Sequence, residues 1–155
     1  MQKLKIFNSK EVKKLREVMI KEYGVSIKGD YAFLLNERER LFLVNKEISK
    51  VNLDNLRIDK IGLNLGEYKN NQLRLSKEGT AFFVENSDGE PTNIVDLSKE
   101  ETITYFEGLD LVKDLKEEDR MIILRYENEI LGSSRYKDGK ILNFMPKMYR
   151  GETIL

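Results

Sequence analysis

The 155-residue chain contains no cysteine, no histidine and no tryptophan, and only two prolines. Without cysteine there is no disulfide, no thiol nucleophile and no thiolate-bound metal. Without histidine, the commonest acid–base group near neutral pH and the commonest metal ligand are both missing. Enzyme chemistry is left with carboxylates and lysines, and no Gly-rich stretch of the phosphate-cradling kind is present. Long apolar runs are lacking too. Tyr31–Leu35 and Met121–Leu124 fall far short of the roughly 20 residues that span a bilayer, and no stretch reads as a secretory leader. A cytoplasmic chain, working without cofactor, metal or membrane and without catalysis of its own, is the expectation.

What is present is ample for folding. Apolar residues make up 40% of the chain and charged ones 35%, the balance of a globular protein with a buried core. High Lys, Glu and Ile usage, with little Gln, resembles thermophile composition. The 27 Lys and Arg balance 27 Asp and Glu, but they are not evenly spread. Residues 1–85 hold 17 basic against 12 acidic side chains, a net of +5. Residues 86–131 hold 5 against 13, a net of −8, and residues 132–155 hold 5 against 2, a net of +3. Two basic surfaces around an acidic middle suit a polyanion bound at a shaped site.

Local signals predict the elements. Asn8 with Glu11 three residues on is a capping box, and Phe7 is placed to staple onto Val12. Val12, Leu15, Val18, Met19 and Tyr23 then recur at helical spacing, and Gly24 supplies the stop. Tyr31–Leu35 and Leu41–Val44 read as a hairpin around a charged turn, and 45–50 as a short helix. A strand is expected over 56–65, ending at Gly66. Asn70-Asn71 marks a turn before Leu73–Leu75, and Ser76 caps a helix holding Ala81, Phe82 and Phe83. The polar stretch 86–93, with Pro91, is the best linker. Beyond it, Ile94–Leu97 reads as a strand. Ser98 and Glu101 open a short helix through Tyr105 and Phe106 that stops at Gly108. Arg120–Tyr126 and Glu129–Tyr136 form a hairpin, followed by a strand over 140–144. Glu117-Glu118-Asp119 lacks the spaced ligands a divalent ion needs and reads as a solvated loop.

Chemistry concentrates near the end. Arg135, Lys137, Lys140, Lys147 and Arg150 oppose only Asp138 over residues 131–150, with Asn143 and Phe144 among them. Lys and Arg grip phosphate, while amides and rings contact exposed bases, so an RNA-contacting edge is one reading. A hairpin made basic for solubility is the other. Asn143, an amide on an apolar strand, either ties down the Pro146 turn or reads RNA. Gly66 and Gly132 would permit close approach of RNA to a strand edge, but a bulge or turn alone explains them.

Residues 105–111 (Tyr-Phe-Glu-Gly-Leu-Asp-Leu), the Leu131-Gly132 pair, the basic turn ending in Gly139 and Asn143-x-x-Pro146-Lys147-x-x-Arg150 together resemble a PUA domain. The likeness is closest to the variety appended to RsmF/Fmu/Sun-type RNA cytosine-5 methyltransferases. Upstream, Gly62-Leu63-Asn64-Leu65-Gly66-Glu67-Tyr68-Lys69 and Ser76 resemble the segment that precedes that domain. The resemblance covers about residues 55–150. The element pattern reads as an α+β fold and the linker at 86–93 as its boundary, with an N-terminal mixed domain of antiparallel strands over 1–86 and a C-terminal domain over 92–155 that the resemblance makes a PUA-like β-barrel with a short helix. The resemblance also implies RNA binding in rRNA or tRNA maturation, adds Lys69 and Arg74 as contacts, and makes the helix-end loop at Gly108 part of an RNA groove. Methyl transfer is not implied, because the family's catalytic half carries a cysteine nucleophile and a cofactor domain. The expected partners are therefore an rRNA or tRNA, and an RNA-modifying enzyme or ribosome assembly factor. The competing role is a protein adaptor that docks such a factor.

Overall fold

The computed structural model describes residues 4–46 and 62–145. In chain order the elements are β1 (Lys5–Ile6), α1 (Ser9–Tyr23), β2 (Tyr31–Leu35), β3 (Arg40–Asn45), β4 (Leu63–Lys69), β5 (Gln72–Leu75) and α2 (Lys77–Asn86). They continue with β6 (Ile94–Asp96), α3 (Lys99–Phe106), β7 (Leu111–Val112), β8 (Arg120–Tyr126), β9 (Glu129–Lys137) and β10 (Lys140–Ile141). The first sheet is an antiparallel meander ordered β1-β2-β3-β4-β5. The second is ordered β6-β8-β9-β10-β7, with β6 parallel to β8 and the other pairs antiparallel, and it curls into a half-barrel. The α+β class with a PUA-like barrel is therefore what the chain adopts.

Among the described residues, each of the three helices starts where local chemistry places it. Asn8 Oδ1 accepts from the Glu11 N–H at 2.9 Å, and Glu11 Oε1 accepts from the Asn8 N–H at 3.1 Å. Ser98 and Glu101 repeat this box at α3, with bonds of 3.1 and 2.9 Å. Ser76 Oγ caps α2 through the Gly79 N–H at 2.8 Å. Each cap satisfies amides that the first helical turn leaves without partners.

Two bulges among the described residues shape the sheets. Pairing slips where Leu41 and Phe42 face Gly66 and Asn64, and again where Leu124 and Arg125 face Gly132 and Ile130. Strand β4 thus runs on through Gly66 to Lys69, and the expected end at Gly66 is corrected: the glycine absorbs a bulge instead. Its φ is 153°, and a Cβ there would meet the Arg74 carbonyl oxygen at 2.2 Å, so β5 lies too close for any side chain. Strand β10 covers only Lys140–Ile141 rather than 140–144, because the chain turns away at Asn143. Neither β1 nor β7, two residues each, has a sequence signal of its own. The expected helix over 45–50 and strand over 56–65 lie largely outside the described residues.

The main core gathers Leu15, Met19 and Tyr23 of α1, Phe33, Leu41, Leu65 and Leu73 of the first sheet, and Phe83 of α2. Met121 and Ile123 of β8 join the same cluster, while Ile122 and Leu124 enter a second one with Tyr105, Phe106, Tyr136 and Ile141. The apolar run 121–124 is continuous because both faces of β8 are covered. The segment between the sheets is pinned to the end of α1. The Thr92 N–H donates to the Tyr23 carbonyl at 2.9 Å, and Asn93 Nδ2 donates to the Glu22 and Met121 carbonyls at 3.0 and 2.8 Å. The two sheets are thus joined by shared apolar packing and by a buried amide.

Candidate nucleic-acid interface

Where β5 meets β9 a cleft opens between the sheets. Its larger lobe, about 640 Å³, is bordered by Arg40, Asn64, Lys77, Tyr105, Gly132 and Phe144. A smaller lobe of about 220 Å³ takes in Lys69, Gln72, Met121 and Arg135. Glu67, Arg74 and Phe144 line both lobes, so the two form one continuous groove.

Register explains why the charges converge. Arg40 of β3 pairs with Glu67 of β4, which pairs with Arg74 of β5. Cross-strand partners project from the same face, so three side chains far apart in sequence form one row. Lys69 lies two residues beyond Glu67 and Gln72 two before Arg74, which puts both on that face as well. Across the groove, Arg135 of β9 is half-buried, its Nη1 3.8 Å from Met121 Sδ. Five basic side chains thus line the groove (Arg40, Lys69, Arg74, Lys77 and Arg135) against two acidic ones (Glu67 and Glu78). Lys69 also reaches Glu39 at 3.8 Å, an exposed contact that contributes little. Among the described residues, Arg40, Arg74 and Arg135 are in no ion pair. Like charges gathered in a groove raise the local concentration of an anionic ligand.

The floor is aromatic. The Arg74 guanidinium lies over the Phe144 ring, 3.7 Å from its centroid. That ring is set by the turn that follows β10. Asn143 Nδ2 donates to the Tyr105 carbonyl at 2.7 Å and the Leu109 carbonyl at 2.9 Å, while its Oδ1 accepts from the Met145 N–H at 3.0 Å. The Phe144 N–H in turn donates to the Tyr105 hydroxyl oxygen at 3.1 Å. Burial is the chief influence on the Tyr105 phenol and pushes its pKa up, which keeps it neutral as a hydrogen-bonding post. Nearby, burial also raises the Glu22 carboxyl, against the opposing pull of the Leu73 N–H and of Arg135.

The residues expected to contact RNA fall into distinct groups. Lys69, Arg74 and Arg135 meet in the groove. Lys137 and Lys140 are exposed register partners in the β9–β10 hairpin, on the face that Arg135 shares but beyond the groove. Asn143 ties down the turn that carries Phe144, with both of its amide bonds made to backbone carbonyls. Gly108 forms the turn after α3, with φ 91° and its N–H bonded to the Tyr105 carbonyl at 3.0 Å, and it does not border the groove. Lys147, Arg150 and the Pro146 turn lie outside the described residues. Sequence reading missed Arg40 and Lys77, whose signal exists only in the strand register and in the position of the α2 start. At the expected solvated loop, Glu117 pairs with Arg120, and Asp119 Oδ1 accepts from the Asp138 N–H at 3.2 Å.

Residues 92–151 match the family model described as the methyltransferase RsmF PUA domain. No curated protein matches the chain. The second sheet with α3 is accordingly a PUA-like region resembling that of the RsmF methyltransferases, a kind of domain that supports RNA binding.

Proposed function

We propose that the chain binds structured RNA, an rRNA or a tRNA, through the groove between its sheets, as an accessory factor in RNA modification or ribosome biogenesis rather than as the modifying enzyme. The observation that carries this reading is the row Arg40–Glu67–Arg74 facing Arg135 across an aromatic floor, at the border of the PUA-like region. Phosphate-directed binding of this kind releases counterions, so affinity falls with salt. Titration with structured tRNA and rRNA fragments across a salt series is the test. Three to five phosphate contacts predict a log–log slope of about −2 to −4. A slope near zero, or no saturable binding below about 10 µM at physiological salt, contradicts the reading.

A protein adaptor is the second reading. It is favoured by apolar side chains left exposed on α3, its following loop and the edge strand β7: Ile103, Leu109 and Val112. Recovery of a stoichiometric protein partner after nuclease treatment, from a chain that fails the salt titration, would select it.

A further inference from the structure

The groove has two lobes on either side of one stacked pair, and that layout bears on the form of RNA it takes. Resting on the RNA-binding reading above, we propose that the groove seats an unpaired nucleotide, its base stacked on the Arg74–Phe144 platform. The neighbouring phosphates lie toward Arg40 in the larger lobe and toward Lys69 and Arg135 in the smaller one.

The argument is geometric. A cation placed over a ring by fold chemistry alone needs no open space around it. Here both members of the pair border both lobes, so the platform is the floor of a passage rather than part of a sealed core. The larger lobe, at about 640 Å³, has the size of a small-molecule site, which typically spans roughly 300–1,000 Å³. Planar guanidinium and aromatic groups are the surfaces on which splayed-out bases stack. Paired A-form RNA keeps its bases in the helix and offers only backbone and minor groove to the protein. A duplex can touch the rim of this groove but has nothing to place on its floor. The platform is also supported from beneath. The Asn143 amide and the Tyr105 hydroxyl fix the Phe144 backbone, so the ring is held before any ligand arrives. Such prior ordering lowers the entropic cost of binding. Every base has a π-face, so the platform selects for unpaired structure rather than for base identity.

Two hairpin RNAs of equal length and charge, one fully paired and one with a single-nucleotide bulge, separate the possibilities. Wild type is expected to bind the bulged hairpin about ten-fold more tightly, the effect of one stacked base. Phe144→Leu keeps an apolar side chain at the site, and Arg74→Lys keeps the charge while losing the plane. Each should bring the ratio of affinities close to one and leave the salt slope unchanged. Equal, salt-dependent binding of both hairpins by wild type overturns the stacked nucleotide but leaves RNA binding standing. A bulge preference untouched by both substitutions overturns the platform. Failure to bind either hairpin removes the RNA reading, and this proposal with it.

Discussion

Replacing Arg40 and Arg74 together with glutamine should weaken RNA binding about thirty-fold at low salt and flatten the salt slope by about 1.5. Both side chains are exposed and in no ion pair among the described residues, so neutralising them removes little from the folded state. Glutamine keeps a polar, hydrogen-bonding side chain while losing the charge, and Glu67 then stands in the row without a cationic neighbour on either strand. The matched control is Lys137→Gln with Lys140→Gln, which also removes two charges, but from the hairpin beyond the groove. That pair should cost about three-fold, through general field effects alone. Equal losses from both double variants would mean that net charge governs binding and that the groove has no special part. Thermal melts of both variants should stay close to wild type, which keeps the comparison one of binding.

The largest effect on stability should come from a single methyl group. Gly79 lies in the first turn of α2, and a Cβ there would sit 2.0 Å from the Leu65 carbonyl oxygen and 2.7 Å from its carbon. Both are backbone atoms of β4, which cannot swing aside as a flexible side chain would. Gly79→Ala therefore pushes α2 off the first sheet, disturbs Phe83 in the main core and displaces the groove wall at Lys77. A cost of about 3 kcal/mol or more is expected, at the upper end for overpacking, and a melting temperature lower by about 10 °C. Gly89→Ala is the control. The nearest atom to its Cβ is Val25 Cγ1 at 3.4 Å, and its backbone is not left-handed. It should be neutral or slightly stabilising, through a less free unfolded chain. Near-identical melts for the two variants would contradict the close packing of α2 against β4.

Much of the fold was legible because its signals are local. Asn8 with Glu11 and Ser98 with Glu101 are short-range patterns whose hydrogen bonds form within one helical turn. The tight Asn70-Asn71 turn, with φ of 52° and 59°, is likewise written in two adjacent residues that tolerate left-handed backbone. What escaped depends on distant parts of the chain. Arg40, Glu67 and Arg74 form a row only through the register of three strands, itself shifted by the bulge at Gly66. Arg74 lies on the first sheet and Phe144 in the turn that follows the second, so the two meet only when the sheets pack. Asn143 was recognisable as an amide needing partners, but its choice of the Tyr105 and Leu109 carbonyls follows from the placement of α3. The basic end of the chain supplies Arg135 to the groove, and the first sheet supplies most of the rest.

Ultraviolet crosslinking to a bulged hairpin RNA, followed by mapping of the modified peptides, tests the central claim most directly. Binding in the groove predicts crosslinks on the peptides that carry Arg74 and Phe144, lost when excess unlabelled RNA competes. Crosslinks confined to the Lys137–Lys140 hairpin, or to the lysine-rich outer face of α1 around Lys10, Lys13 and Lys14, would contradict it.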